Sequence, residues 1–246
     1  MSLTKIPFLV STALSTHVAW TPPNPPPSQN ERLKNITLSE ALFVKTVRKG
    51  PYMTKIMIWI VCLCEAAVIY IRRNPSSDLA KRLLQLLVPG ASTLSSRHHA
   101  IGQIRLSRIF LASWLLTSLG GLVRLECYRL LGRLFTYELT IRPNHELVTT
   151  GLYSIVRHPS YTGAMLEGVG VALYLMSPGS WVQECGIWKT NVGKCLILGW
   201  ISNVGYTLVN MTLRTKKEDV FLKEEFGEAW EAWARRVRYR LIPGIY

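Results

Sequence analysis

Long runs of apolar residues, separated by shorter polar stretches, dominate the pattern of this sequence. Four runs, at 52–71, 109–125, 161–176 and 195–213, approach the roughly 20 residues that an α-helix needs to cross a bilayer. The third run is followed by Ser177-Pro178-Gly179, which favours the end of a helix. The pattern therefore predicts an all-α, polytopic integral membrane protein.

A fifth apolar run, at 6–20, is shorter and ends at the proline-rich stretch 22–27. With this run included, we expect about five transmembrane helices. A secretory signal peptide is the alternative for residues 6–20. It is disfavoured because Lys5 is the sole basic residue ahead of the run and no good A-x-A cleavage site follows it.

The basic residues lie mainly between the apolar runs. The chain has 29 Lys and Arg against 15 Asp and Glu, a net charge of +14, while charged residues make up only 18% of it. Nucleic-acid binding is disfavoured because this charge flanks the predicted helices instead of forming one patch. The eight Trp and ten Tyr exclude a disordered chain, since so much aromatic area must be buried.

The positive-inside rule assigns some connections to a side of the membrane. Eight Lys and Arg from residue 214 onward place the C-terminal tail in the cytoplasm, and only two in 177–194 place that connection outside. Single crossings then put the 72–108 loop outside as well, although it holds seven Lys and Arg. A further crossing or a re-entrant segment at 83–94 would remove this conflict.

The C-terminal tail differs in composition from the rest, because apolar residues recur every three or four positions among charged ones. This spacing predicts an amphipathic helix pair, interrupted at Gly227 and partly inserted into the membrane interface. The stripe consists of Val220, Phe221, Phe226, Trp230, Trp233 and Val237. A tail that only lies on the lipid headgroups is the alternative.

The first segment with candidate chemistry is Arg157-His158-Pro159, just before the apolar run at 161–176. Pro159 suits the first turn of a helix, and free backbone N–H groups at a helix start can hold an anion or a carboxylate. An interfacial anchor, in which Arg157 and His158 reach the lipid headgroups, explains the same residues equally well.

The second segment places Arg214, Glu218 and Asp219 directly after the last apolar run. Acidic residues near lipid need a partner or a function. Because Arg214 and Glu218 are four residues apart, pairing between them on one helix face is the simpler explanation when this segment is taken alone.

Two further carboxylates, Glu65 and Glu167, lie inside apolar runs and are candidate functional groups on that ground. Gly168 and Gly170 follow Glu167, and small-residue helix packing is the commoner reason for such glycines. No Cys and His grouping has the spacing of zinc ligands, so we expect the five Cys residues to be packing residues and no metal to be bound.

The run LVTTGLYSIVRHPSYTG, a long apolar stretch and then RTKKEDVFLKEEFGEAWEAWARRVRYRLIP occur in this order between about residues 135 and 243. This arrangement resembles the C-terminal half of isoprenylcysteine carboxyl methyltransferases. The combination is specific, whereas RHP alone also occurs in phospholipid N-methyltransferases and some sterol reductases. Residues 1–130 match only in being hydrophobic. We therefore expect an N-terminal membrane region at 1–130 and a catalytic region at 131–246.

The resemblance implies a multi-pass enzyme of the endoplasmic reticulum membrane, with a cytosol-facing cofactor pocket closed by the C-terminal amphipathic tail. The implied reaction uses S-adenosylmethionine to methylate the C-terminal carboxylate of a farnesylated or geranylgeranylated cysteine in CaaX-processed proteins. The implied cofactor-binding residues are His145, Glu146, Leu147, Val148, Tyr153, His158, Pro159, Ser160, Tyr161 and Glu218. Arg214 is the implied catalytic and substrate-binding residue. The expected partners are prenylated proteins and the lipid bilayer, without nucleic acid.

Two positions depart from the pattern of that family. Asp219 stands where the second acidic residue is usually Glu, which is a mild change. Arg238 follows Val237 where proline is usual, and the proline is delayed to Pro243. The second departure puts the packing of the tail in question.

The chemistry of a peptide carboxylate agrees with this interpretation. Its pKa of about 3.5 means that the nucleophile is already ionised at neutral pH, so no general base is required. Three alternatives stay open: a methyltransferase acting on a phospholipid amine, a nicotinamide-dependent sterol reductase and a non-catalytic membrane scaffold. The FG…W…RV tail argues against the phospholipid methyltransferase, and the short chain argues against the sterol reductase. Binding of S-adenosylmethionine would distinguish a methyltransferase from the scaffold.

Overall fold

The computed structural model describes residues 3–27, 49–75, 77–138, 140 and 145–246. Its regular structure in these ranges is helical, apart from an isolated bridge residue at Thr140. The α-helices are α1 (Ile6–Ala19), α2 (Lys49–Arg73), α3 (Asp78–Leu87), α4 (Leu94–Gly102), α5 (Arg108–Leu131), α6 (Pro159–Met176), α7 (Trp181–Glu184), α8 (Asn191–Phe226) and α9 (Glu228–Arg236). The predicted all-α class is confirmed.

Three of these helices, α2, α5 and α8, are long and apolar enough to cross a membrane by length and composition. The two other predicted spans are also helical, but α1 has 14 residues and α6 has 18. The protein is therefore an all-α membrane protein, and the number of about five crossings stays a prediction.

Side-chain caps fix the starts of the two long helices that lead to the cavity described below. Ser107 Oγ accepts a hydrogen bond from the N–H of Phe110 (3.1 Å) at the start of α5. Thr190 Oγ1 accepts from the N–H of Gly193 (3.0 Å) at the start of α8. Each cap satisfies one of the backbone donors that have no partner within the first turn.

Small residues bring α5 and α6 into close contact. A Cβ atom added to Gly120 would lie 2.6 Å from the carbonyl oxygen of Gly163, and one added to Gly170 would lie 2.4 Å from Thr117 Oγ1. Gly168 faces α8 instead, where an added Cβ would lie 3.2 Å from Val204. The glycines after Glu167 thus serve helix packing, as small residues do in membrane bundles.

The 74–107 segment packs against the connection after α6, at the C-terminal end of that helix. The N–H of Gly90 donates to the carbonyl of Cys185 (3.2 Å), and the N–H of Arg105 donates to that of Gly179 (3.3 Å). Trp181 Nε1 donates to the carbonyl of Leu87 (2.7 Å). These contacts place the basic loop and the 177–194 connection on one face, while residues 83–87 form the end of the 10-residue helix α3 and a crossing or re-entrant segment at 83–94 stays a prediction.

The proline-rich stretch runs to the other end of the bundle. Asn24 Nδ2 donates to the carbonyl oxygens of Gly132 (2.7 Å) and Phe135 (2.9 Å), just beyond the end of α5. These contacts tie residues 22–27 to the segment that forms one wall of the cavity.

Candidate active site

A cavity of about 160 Å³ lies at the end of the bundle where α6 begins and α8 approaches its C-terminus. The structure brings nearly all the sequence-predicted site residues to its walls. These are His145, Glu146, Leu147, Val148, Tyr153, His158, Ser160, Tyr161, Arg214 and Glu218. Pro159 is the exception, because it is buried as the first residue of α6.

The backbone N–H groups just before α6 bind the C-terminal tail. The N–H of Arg157 donates to the carbonyl of Tyr239 (3.0 Å), and the N–H of His158 donates to that of Arg240 (2.8 Å). The N–H of Tyr161 donates to the carbonyl of His158 (3.0 Å). The backbone donors of Arg157 and His158 therefore hold the C-terminal tail, and the side chains of His158, Ser160 and Tyr161 supply polar groups at this wall.

The imidazole of His158 lies between two carboxylates from consecutive residues of α8. Its Nδ1 is 3.1 Å from Glu218 Oε2 and its Nε2 is 3.1 Å from Asp219 Oδ1. Burial lowers the pKa of His158, but the hydrogen bonds to Asp219 and Glu218 reverse this and hold the pKa above its ordinary value. This electrostatic environment favours the doubly protonated ring.

Asp219 joins this histidine to two arginines. Asp219 Oδ2 is 3.1 Å from a terminal nitrogen of Arg157 and 2.7 Å from Nε of Arg240. The carboxylate is 5% exposed, so its charge is satisfied by partners and not by water. The substitution of Asp for the usual Glu is thus compatible with a built ion cluster.

The tail itself packs against the cavity despite Arg238 in place of a proline. Val237 is 2% exposed and packs with Cys127, Tyr153 and Trp233. Trp233 Nε1 donates to the carbonyl of Tyr153 (3.0 Å). Gly227, at φ +52°, separates α8 from α9 and turns this tail back over the site.

Arg214 and Glu218 form the pair that their spacing predicts. Arg214 Nε is 3.1 Å from Glu218 Oε1, and Arg214 also donates through Nη1 to the carbonyl of Tyr137. The hydroxyl of Tyr161 donates to the same Glu218 oxygen. Arg214 and Glu218 therefore pair on one helix face and also line the cavity, so the two explanations are compatible.

Two residues of the candidate segments that were not expected to bind the cofactor, and two residues that the sequence did not single out, also take part in this site. Arg157 and Asp219 complete the charge cluster around His158, while Arg124 and Tyr137 line the cavity. Arg124 interrupts the apolar run at 109–125, and a charge at such a position is the signal that could have identified it. Tyr137 carries no comparable signal.

The two carboxylates inside the apolar runs have other partners and do not line the cavity. Glu65 accepts from the hydroxyl of Tyr174 (3.1 Å) and from the N–H of Trp181 (2.9 Å), and it forms an ion pair with Lys5. Glu167 accepts from the indole N–H of Trp20. Their contacts join helices of the bundle.

Across the described residues, no group of three or more His, Cys, Asp or Glu side chains is arranged to hold a metal ion. All five Cys residues are free, and Cys62, Cys127 and Cys185 are buried.

The side chains that line the cavity fit the groups of S-adenosylmethionine. The ammonium group of its methionyl part needs acceptors, and Glu218 supplies a carboxylate at the wall. Its adenine ring needs apolar and aromatic surface, which Leu147, Phe221 and Trp233 supply. The rings of His145 and Phe226 lie 5.8 Å apart beside this wall.

A family model described as the isoprenylcysteine carboxyl methyltransferase (ICMT) family matches residues 113–185. The protein-S-isoprenylcysteine O-methyltransferase B of Arabidopsis thaliana is 31% identical over 124 residues, which are 48% of this chain and 52% of that protein. A probable protein-S-isoprenylcysteine O-methyltransferase of Oryza sativa subsp. indica is 28% identical over 124 residues, 48% of this chain and 53% of the relative. A Delta(14)-sterol reductase of Gibberella zeae is 25% identical over 130 residues, 45% of this chain and 26% of the relative.

The chain spans about half the length of the methyltransferase relatives it matches, and no solved structure matches it. The matched residues 113–185 cover most of α5, all of α6 and the RHP segment between them. Arg214 and Glu218 lie beyond that match, on α8. The family resemblance drawn from the motifs is confirmed.

Proposed function

We propose that this chain, which matches the isoprenylcysteine carboxyl methyltransferase family model over residues 113–185, is an S-adenosylmethionine-dependent O-methyltransferase. Its substrate class is the C-terminal carboxylate of a prenylated cysteine in CaaX-processed proteins. One observation carries the proposal: a single cavity at one end of a membrane bundle gathers the RHP segment together with Arg214 and Glu218.

The reaction requires little of the protein beyond positioning the two reactants and excluding water from them. The α-carboxylate of the acceptor, with a pKa of about 3.5, is an anion at neutral pH and needs no general base. S-adenosylmethionine supplies, when bound, an electrophilic methyl group on a positively charged sulfur. The protein then has to orient the carboxylate, keep water out and hold opposite charges that disappear during transfer.

Arg214 is our candidate for orienting the acceptor carboxylate. Its guanidinium is 4% exposed and lies at the cavity wall, so a carboxylate that reaches it is shielded from water. Its pairing with Glu218 moderates its positive charge. A moderated arginine suits this reaction, because tight binding of the anion would stabilise the ground state and slow the step.

The residues that would hold the cofactor line the same cavity as Arg214. Glu218 would accept from the methionyl ammonium, with Tyr161 and His158 fixing the orientation of that carboxylate. Residues 145–148 would cover the adenosyl part, since Leu147 and Val148 pack with Tyr153 and the tail. Ser160 adds a hydroxyl at the same wall, and Pro159 fixes the start of α6 beneath it.

A membrane location matches this substrate. Each buried CH₂ of a prenyl chain gains about 0.8 kcal/mol, so the acceptor partitions into the bilayer where the enzyme resides. We propose a multi-pass protein of the endoplasmic reticulum membrane with the cavity on the cytosolic side. The eight Lys and Arg from residue 214 onward favour that side for the cavity end of the bundle.

A sterol reductase is the second candidate, because the Delta(14)-sterol reductase relative matches 45% of this chain. The relevant difference is the cofactor, which would be a nicotinamide nucleotide. A phospholipid amine acceptor would give an N-methyl product instead of a methyl ester. A non-catalytic scaffold would not bind S-adenosylmethionine.

The decisive experiment incubates the protein, in membranes or detergent, with methyl-labelled S-adenosylmethionine and an S-farnesylated cysteine acceptor. The expected product releases volatile labelled methanol in mild alkali, as a methyl ester does and an N-methyl group does not. Arg214→Ala should remove this signal, while Arg235→Ala on the exposed face of α9 should keep it. Binding of a nicotinamide nucleotide without binding of S-adenosylmethionine would favour the reductase instead.

A further inference from the structure

Arg124 is a buried guanidinium in the apolar part of α5, with 1% of its surface exposed. Nη1 donates to the carbonyl (3.1 Å) and the hydroxyl (3.3 Å) of Ser160, and Nη2 donates to the hydroxyls of Tyr128 (2.9 Å) and Tyr137 (3.2 Å). Nε donates to the carbonyl of Ala19 and lies 3.1 Å from the Tyr128 hydroxyl. All five N–H donors of the guanidinium are thus engaged.

Two of these partners, Ser160 and Tyr137, line the cavity. Ser160 belongs to the first turn of α6, Tyr137 to the wall after α5, and Ala19 to the end of α1. In the described residues, the acceptors of Arg124 are neutral oxygen atoms, and the buried carboxylate Glu167 accepts from Trp20 instead. Arg124 therefore fixes cavity walls and is not itself a vacant anion site.

Tyr137 connects this arginine to Arg214. Its hydroxyl accepts from Arg124, and its backbone carbonyl accepts from Nη1 of Arg214. The same residue is 7% exposed and lines the cavity. A displacement of Tyr137 would therefore displace the acceptor of a hydrogen bond that holds Arg214 in place.

We propose that Arg124 and Tyr137 are positioning residues that set the orientation of Arg214 toward the acceptor carboxylate. This inference rests on the proposed carboxyl methylation. A guanidinium is a planar fork, so five engaged donors fix its orientation, and it transmits that orientation to the Tyr137 hydroxyl. Methyl transfer requires the carboxylate in line with the methyl group, and small misplacements of the orienting group are costly to the rate.

Tyr128 provides a matched control for Tyr137. Both phenols bind Arg124, and both rings pack edge-to-face on Phe135 at an interplanar angle of 72°, with centroids 4.5 Å away for Tyr128 and 5.8 Å for Tyr137. Tyr128 lies on α5, outside the lining of the cavity. Removing either hydroxyl frees one side of Arg124, but only Tyr137 carries the carbonyl that binds Arg214.

The test compares wild type, Tyr137→Phe and Tyr128→Phe with labelled S-adenosylmethionine and an S-farnesylated cysteine acceptor. We expect Tyr137→Phe to lower kcat/KM for the acceptor about tenfold, the effect of one hydrogen bond to a charged group. Its KM for S-adenosylmethionine should stay within about twofold of wild type. Tyr128→Phe should lower Tm at least as much as Tyr137→Phe does. Its kcat/KM for the acceptor should stay within about threefold of wild type.

A merely structural role predicts another result: both variants would lose Tm and activity in proportion, or both KM values would rise together. Either outcome overturns the inference. A wild-type protein without base-labile product would instead reject the proposed function, so the two failures are distinguishable. If Tyr137→Phe does not fold, Arg124→Lys replaces it, since Lys keeps the charge and loses the fork; a selective loss at the acceptor is again expected.

Discussion

The imidazole of His158 is bound to Asp219, with Nε2 3.1 Å from Oδ1, and the other oxygen of this carboxylate binds Arg240 at 2.7 Å. One carboxylate thereby joins the RHP segment, the helix that carries Arg214 and the C-terminal tail. The backbone contacts of Arg157 and His158 with residues 239 and 240 repeat the same connection. The cavity wall and the tail therefore form one structural unit.

Neutralising Asp219 should loosen that unit. Asp219→Asn keeps the size of the side chain but removes the charge that faces Arg157, Arg240 and His158. We expect affinity for S-adenosylmethionine to fall about tenfold and Tm to drop, because buried charges lose their partner. Equilibrium binding of labelled cofactor and a thermal unfolding scan measure both effects.

Glu231→Gln is the matched control for Asp219→Asn, since Glu231 pairs with Lys223 at 2.9 Å but is 42% exposed. An exposed pair contributes little, so cofactor affinity should be unchanged. Equal losses in the two variants would show that general electrostatics, and not the His158 cluster, governs binding.

Stability should decline with rising pH because of His158. Its folded-state pKa lies above the unfolded value of about 6.5, since the hydrogen bonds to Asp219 and Glu218 outweigh burial. The protonated ring then contributes its full stabilisation below about pH 6.5, and this is lost as pH rises through the folded-state pKa. We expect Tm to fall over that interval and His158→Gln to flatten the fall. The groups in contact with the ring are Glu218, Asp219 and Tyr161, and Arg157 and Arg240 bind the far oxygen of Asp219.

A pH profile of His158→Gln that parallels the wild-type profile would assign the decline to other groups. His99 is exposed on α4, so His99→Gln serves as the control and should leave the pH profile of Tm unchanged.

The division of labour between Arg214 and Glu218 can be tested through binding. Arg214→Ala should abolish turnover and leave S-adenosylmethionine binding largely intact, because Arg214 is assigned to the acceptor. Glu218→Gln should weaken cofactor binding about tenfold, since it removes a charged acceptor at the wall. Isothermal or radioligand binding to both variants decides, and loss of cofactor binding in Arg214→Ala would reject this assignment.

Helix packing between α5 and α6 should be intolerant of added atoms. Gly170→Ala places a Cβ 2.4 Å from Thr117 Oγ1, so we expect a loss of about 1–3 kcal/mol in the free energy of unfolding. Gly199→Ala on α8 is the control, because nothing lies within 4 Å of its added Cβ. Thermal or denaturant unfolding in detergent measures both, and an unaffected Gly170→Ala would contradict this tight contact.

Much of this architecture could be predicted because it follows from local patterns. The apolar runs at 52–71, 109–125 and 195–213 became α2, α5 and α8, and Gly227 ends α8 where the stripe was expected to break. The motif residues could be gathered into one site only through the family resemblance. Their spacing in the sequence does not bring His145 near Phe226 or His158 near Asp219.

The tertiary contacts of the site residues could not be predicted from the sequence. Whether the N–H groups of Arg157 and His158 are free depends on residues 239 and 240, some 80 positions away. The role of Arg124 depends on Ser160, Tyr128 and Tyr137 reaching one guanidinium. The contacts of Gly90 and Arg105 with the connection after α6 place the 72–108 loop beside residues 177–194, so the conflict with the positive-inside rule stands.

The contacts of Asn24 with Gly132 and Phe135, and of Arg124 with Ser160, cross between residues 1–130 and residues 131–246. The half without recognisable motifs thus shapes the half that has them. A chimaera that joined residues 131–246 to the N-terminal helices of a relative would contain the motifs. It would lack the side chains of residues 1–130 that hold the cavity walls in place. Such chimaeras should regain activity only when Asn24 and Arg124, or equivalents at those contact points, are grafted along with them.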